Sequence, residues 1–270
     1  TSDFSWEHVD FSEAVSGESF DYGYVDWKEV DYSSFDATAS AAMDWGKVDY
    51  KDARKNKAFD WEHVDFGEAI NDGFKYNYVD WTEVDYSDFD SAATAAMDWT
   101  KVDFRKASKA DSFSLDVCDW TEINSAGSKA KSIYNKIDWK TESISSDVAK
   151  NLDFGLVNFS KFELTNLEDI NDIQFDELGS SNYKRMDWSD ISFTELTTES
   201  RKDIDWAQVD FKEAAKSESF SLGYCDWTEI NTASKTKAKK IYNQIDWKTE
   251  AITSEVAQNL DYSYVNFNKF

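Results

Sequence analysis

The chain has 270 residues, a formal net charge of −25 and a 41% hydrophobic share that includes 12 Trp, 13 Tyr and 19 Phe. That many aromatics excludes a disordered chain, because highly charged disordered segments are poor in them. The charge repels phosphate backbones and anionic lipid, which argues against nucleic-acid partners, and no apolar run approaches the length of a membrane span.

A six-residue unit, apolar–Asp–aromatic–x–x–Val, recurs from one end to the other. In the block near 4–58 it reads FSWEHV from Phe4, VDWKEV from Val25 and MDWGKV from Met43. In the block near 59–117 it reads FDWEHV from Phe59, VDWTEV from Val79 and MDWTKV from Met97. Block 118–172 carries CDWTEI from Cys118, IDWKTE from Ile137 and LDFGLV from Leu152. Block 173–224 carries IQFDEL from Ile173, MDWSDI from Met186 and IDWAQV from Ile204. Block 225–270 carries CDWTEI from Cys225, IDWKTE from Ile245 and LDYSYV from Leu260. These fifteen units have a mean spacing of about 18 residues, at the short edge of repeat architectures. Residues 4–53 recur at 59–107 and residues 113–162 at 220–270, so the expectation is one continuous array over 1–270. The sequence begins at Thr1, which fits a removed leader or a part of a longer chain.

After most units comes a second element, Asp/Asn–aromatic–x–x–Ala/Phe, as at 65–69, 85–89 and 158–162. Apolar positions then alternate by twos and threes, which is neither a pure helix nor a pure strand. Two architectures fit: a pentapeptide-like β-solenoid, or an α/β solenoid with a short strand and a helix in each repeat. Residues 125–137 place Ala126, Ala130, Ile133, Tyr134 and Ile137 on one helical face, and 89–97 are rich in Ala. Ser12, Ser87, Ser160 and Thr194 stand where N-caps are expected. These segments favour the α/β solenoid of about fifteen short repeats. With no Pro and only 9 Gly, turns fall to Asp, Asn and Ser side chains.

Stacked repeats would align the carboxylates of Asp26, Asp44, Asp60, Asp80 and Asp98 into one ladder, and Asp31, Asp49, Asp65, Asp85 and Asp103 into a second. Such ladders repel unless compensated, and calcium, with its many oxygen ligands, is the cation that suits them. The competing reading makes each Asp a turn cap, with Glu29, Glu83, Glu122 or Glu229 reaching back in a capping box. Likewise, the aromatic series is either an exposed ladder for sugar rings or the spine of the core, and its apolar flanks favour the spine. Cys118 and Cys225 fill one place in two copies of the unit, held elsewhere by Val, Met, Ile or Phe, and read as small buried residues. His8 and His63 are equivalent positions of a duplicated unit, and no phosphate loop, nucleophile elbow or Cys/His metal spacing occurs. The expectation is a protein that is not an enzyme.

The tandem D-W-x-x-V-D/N-F-x-E/K-A/F units resemble acidic repeat segments of large secreted calcium-associated surface proteins of cyanobacteria. The resemblance implies an extracellular or cell-surface matrix role. It supports a filament subunit, with a calcium-dependent polysaccharide-binding module and an acidic DNA mimic as alternatives. Both termini retain nearly complete internal motifs, so head-to-tail self-association is expected through Phe4 and Trp6 at one end and Phe267 and Phe270 at the other.

Overall fold

The computed structural model describes residues 5–15, 20–35, 37–71 and 73–269. Its elementary unit is a five-residue helical step, seen plainly at Asp85–Phe89. Asp85 has extended backbone, and its Oδ1 accepts the Ser87 amide at 2.9 Å. Tyr86–Asp88 form one 3-10 turn, closed by the Phe89 amide on the Tyr86 carbonyl at 3.3 Å. Phe89 is extended again at φ −71° and ψ 107°. An Asx cap thus fixes where the turn begins, and a single apolar residue ends it.

This local arithmetic corrects the α/β solenoid expected from the spacing, and equally its pentapeptide-like β alternative. Among the described residues the structure is helical, built from α and 3-10 pieces, with no strand. The nearest approach to a sheet is one isolated parallel bridge between Ile144 and Leu167. The reason is that extended residues come in short pairs, such as Val64 and Asp65, before the next turn starts. The Asp side chain also satisfies a backbone donor within its own turn, so little is left over for a ladder.

The expected Ser caps move by two residues for the same reason. Ser87 and Ser160 lie inside the turns Tyr86–Asp88 and Phe159–Lys161, whose caps are Asp85 and Asn158. Their hydroxyls donate to those caps, at 2.6 Å and 2.8 Å. Thr194 likewise follows Ser192 by two, their hydroxyls 3.4 Å apart. Ser12 sits within the helix Phe11–Ala14, and its side chain lies outside the described ones. The helix expected over 125–137 is broken. Trp120–Ser125 and Ser128–Tyr134 are separate helices, parted at Gly127 with φ 58°.

The core is an aromatic spine. Trp27, Trp45, Trp61, Trp81, Trp99 and Trp120 are buried in the first half, as are Trp139, Trp188, Trp206, Trp227 and Trp247 in the second. The five-residue pitch lets polar ring atoms reach carbonyls one step back. Trp99 Nε1 donates to the Thr94 carbonyl at 3.0 Å and Trp206 Nε1 to that of Arg201 at 2.9 Å. The Tyr32 and Tyr50 hydroxyls donate to the carbonyls of Trp27 and Trp45 at 3.0 Å and 2.9 Å. A Trp or Tyr can therefore be buried without stranding its polar atom, which would cost about 1–3 kcal/mol.

The chain forms two compact units, Thr1–Ile137 and Asp138–Phe270. In the first, turns 22–28 residues apart are tied by side chains: the Tyr22 hydroxyl accepts the Asp44 amide at 2.8 Å, and Asn56 Nδ2 donates to the carbonyls of Lys28 and Val30 at 2.9 Å and 2.7 Å. The second repeats the device, with Tyr183 accepting the Asp205 amide at 2.7 Å and Asn182 Nδ2 donating to the carbonyls of Phe154 and Val157. Cys118 and Cys225 are unbridged and buried, and burial pushes the Cys225 thiol well up from its ordinary value.

Candidate functional site

The recurrent carboxylates are the first candidates. Each acts on its own turn. In the first series Asp26 accepts the amide of Lys28 at 3.2 Å, Asp60 that of Glu62 at 3.0 Å, Asp80 that of Thr82 at 3.3 Å and Asp98 that of Thr100 at 3.2 Å. In the second, Asp31, Asp49, Asp65 and Asp85 accept the amides of Ser33, Lys51, Glu68 and Ser87. Asp44 and Asp103 make no such side-chain bond: Asp44 pairs with Lys47 at 2.7 Å, and the Asp103 carbonyl accepts the Lys106 and Ala107 amides. The Ser87 hydroxyl holds the Asp85 carboxyl below its ordinary range. Burial opposes charge on Asp98, yet Lys101 and Thr100 together keep its carboxyl low. Among the described residues no three His, Cys, Asp or Glu side chains converge into a group that could hold a metal ion.

The glutamates do something that spacing did not show. Glu122 and Glu229 do not close capping boxes on their own turns. Their own amides go to Asp119 and Asp226, while each carboxylate accepts the amide of a Trp 23 residues earlier. Glu122 Oε2 takes the Trp99 amide and Glu229 Oε2 that of Trp206, both at 3.0 Å. The two sites match at an offset of 107, with two exchanges beside the aspartate: Thr100 and Lys101 near Asp98 become Ala207 and Gln208 near Asp205. Lys101 forms an ion pair with Asp98 at 2.6 Å, whereas Gln208 Nε2 donates to Asp205. Burial first, and then a hydrogen bond shared with Asp205, pushes the Glu229 carboxyl up to about 7. Glu122 is also raised, by burial, with Lys101 pulling the other way.

The residues expected to mediate assembly divide. Phe4 and Phe270 lie outside the described residues. Trp6 is half-buried, whereas its copy Trp61 is buried. Phe267 is 63% exposed, and the neighbouring Tyr262, on whose ring it stacks, is 48% exposed. Sequence reasoning missed Tyr262 and the inter-turn amides and hydroxyls. Their signal was the repetition of Ser112-Phe113 as Ser219-Phe220, which in both copies tops an earlier aromatic turn.

Fold and site together define an all-helical tandem-repeat protein whose recurrent polar residues cap and tie turns. No protein-family model, no curated protein and no solved structure matches the chain. No helix is long and apolar enough to cross a membrane among the described residues.

Proposed function

We propose that this chain is a non-enzymatic structural repeat protein whose copies join to one another. One observation carries the reading: the side chains that recur through the array serve the fold itself. The Asp series caps turns and the Trp series fills the core. A catalytic or sugar-binding repeat would instead present its recurrent groups outward, towards a ligand. What the array offers to solvent is an acidic skin, with a few large apolar side chains exposed at Tyr24, Tyr262 and Phe267.

A structural subunit of this kind self-associates. Sedimentation velocity over a concentration series should show species heavier than the 31.1 kDa chain growing with concentration. A single species of that mass at every concentration, with calcium or with chelator, would remove the structural reading.

A further inference from the structure

A cleft in the unit Thr1–Ile137 gathers lysines. Its volume is about 720 Å³, and Lys75, Lys101, Lys106 and Lys136 line it, with Asp103 as the one acid among the lining residues. Lys75 precedes the turn Tyr76–Tyr78, Lys101 ends the turn Trp99–Lys101, Lys106 lies in the helix Phe104–Ala107, and Lys136 follows the helix Ser128–Tyr134. Two of the four are held by acids. Lys101 pairs with Asp98 at 2.6 Å and stands 5.1 Å from the centre of the Tyr76 ring, and Lys106 faces Asp80 at 3.7 Å. Lys75 is exposed and Lys136 half-buried, and neither enters an ion pair among the described residues. Against the carboxylates of Asp80, Asp98 and Asp103 the four ammonium groups leave a positive surplus, in a chain that carries −25 as a whole.

The repeat itself does not call for these lysines, because its other copies do without them. Around Tyr183 the second unit rebuilds the same scaffold: the Tyr183 hydroxyl accepts the Asp205 amide at 2.7 Å, as that of Tyr76 accepts the Asp98 amide at 2.6 Å. Yet Lys75, Lys101, Lys106 and Lys136 become Asn182, Gln208, Glu213 and Gln244. Gln244 Nε2 donates at 3.0 Å to Asp210, the counterpart of Asp103, and Glu213 pairs with Lys216. The second unit adds one cation at the matching positions, Lys184 in place of Asn77. In the copy 54 residues earlier, Lys47 matches Lys101, but Asp21 and Asp52 stand where the cleft has Lys75 and Lys106. Upkeep of the fold therefore accounts for Lys101 at most, and leaves Lys75, Lys106 and Lys136 to another cause.

We infer that this cleft is a binding site for a small molecule bearing phosphate. Its volume falls within the span of small-molecule sites, about 300–1,000 Å³. Phe74, Val79, Trp81 and Val102 give it apolar walls, and a cleft with low-dielectric walls and an excess of one charge focuses its field inward. In 0.15 M salt the Debye length is about 8 Å, so distant acids are screened while ammonium groups lining the same cleft are not. A phosphate group gathers about −1.5 to −2 charges at pH 7 on one centre, which suits several lysines acting as point charges. Carboxylates pair best with the fork of an arginine, and no arginine is among the lining residues. The site goes beyond the structural reading, since binding here needs no second copy of the chain.

Calorimetric titration of the full chain with inorganic phosphate and with pyrophosphate, at ionic strength matched by sodium chloride, tests it. One molecule should bind per chain, and the tighter probe tells whether the cleft takes one phosphoryl group or two. Lys75→Asn with Lys136→Gln, which copies residues of the second unit, should weaken binding about tenfold or more while leaving the melting curve in place. Lys106→Glu, taken from the same unit, should weaken it in the same direction. Lys129→Gln with Lys131→Gln removes equal charge from exposed positions outside the cleft and should leave binding unchanged. Citrate, a multivalent anion built from carboxylates, should bind more weakly than pyrophosphate. The inference is overturned if neither phosphate probe binds, if the Lys75 and Lys136 variant binds like the parent, or if the Lys129 and Lys131 variant loses as much. Citrate binding as tightly as pyrophosphate overturns the assignment to phosphate. None of these results bears on self-association, which the concentration series decides separately.

Discussion

At the scale of single residues, the most informative exchange is Lys101 for Gln208 between two sites that also differ at Thr100, which is Ala207 in the second. In one, an ammonium neutralises Asp98 beside Glu122; in the other, Asp205 and Glu229 share a hydrogen bond with only an amide nearby. The ordinary value for the Glu229 carboxyl is 4.5, and in the folded chain it rises to about 7. A raised carboxyl means that the folded state binds the proton more tightly than the unfolded one. Its contribution to stability is therefore present below 4.5 and is lost as pH climbs through about 7. Glu229→Gln should consequently gain on the parent in melting temperature as pH rises through that window. Gln208→Lys, which copies Lys101, should lower the Glu229 value and flatten the same loss. Melting curves on both sides of the window decide it, and an unchanged difference between parent and Glu229→Gln would refute the shared proton. Nothing in the sequence announced this pair, because the two carboxylates are 24 positions apart and meet only when turns stack.

At the scale of the element, the repeat was legible and its conformation was not. The positions of Asp, Trp and Val gave the pitch, the buried spine and the capping reading of the acids. Alternating spacings of two and three suit several backbones, however. The choice among them turned on whether the residues between turns were numerous enough to pair as strands, and pairs such as Val64 and Asp65 are not. The displaced caps have a similar origin: Ser87 and Ser160 are good capping residues by type, but Asp85 and Asn158 stand two positions earlier and accept the amides of Ser87 and Ser160, which places both serines inside the turn. Gly127 shows where one residue decides an element. With φ 58° and ψ −120°, it occupies backbone space that side chains strongly disfavour, and it parts Ser125 and Ala126 from the rest of the face that periodicity drew over 125–137. Nothing lies within 4 Å of where its Cβ would stand, so the cost of Gly127→Ala is purely conformational. Denaturant unfolding should show a loss of roughly 1–3 kcal/mol, with Ala126→Gly in the adjacent half-buried position as comparison. A neutral Gly127→Ala would mean that the two helices join without penalty.

At the scale of the whole molecule, charge is the dominant unbalanced quantity. A formal charge of −25 repels itself within the folded chain, and the ion pairs at Lys47–Asp44, Lys101–Asp98 and Lys202–Glu199 are local, between residues three apart. Exposed pairs of this type contribute little, being screened by solvent, so they do not offset the net field. Screening should do so instead: at 0.15 M ionic strength the Debye length is about 8 Å, short enough to weaken repulsion between separate turns. Sodium chloride should therefore raise the melting temperature from its low-salt value. Calcium tests a sharper point. Asp26, Asp31, Asp49, Asp60, Asp65, Asp80, Asp85 and Asp98 each already accept an amide in their own turn, so their geometry is set before any cation arrives. Capping alone makes calcium and magnesium equivalent at equal ionic strength, both acting by screening. A ladder of bound calcium would instead add a linkage term that grows with the logarithm of calcium concentration above its dissociation constant and that magnesium does not match. Melting curves in matched calcium and magnesium series separate the two outcomes. Coincident curves are expected from the caps, and a calcium-specific rise would show that the same carboxylates also bind the ion.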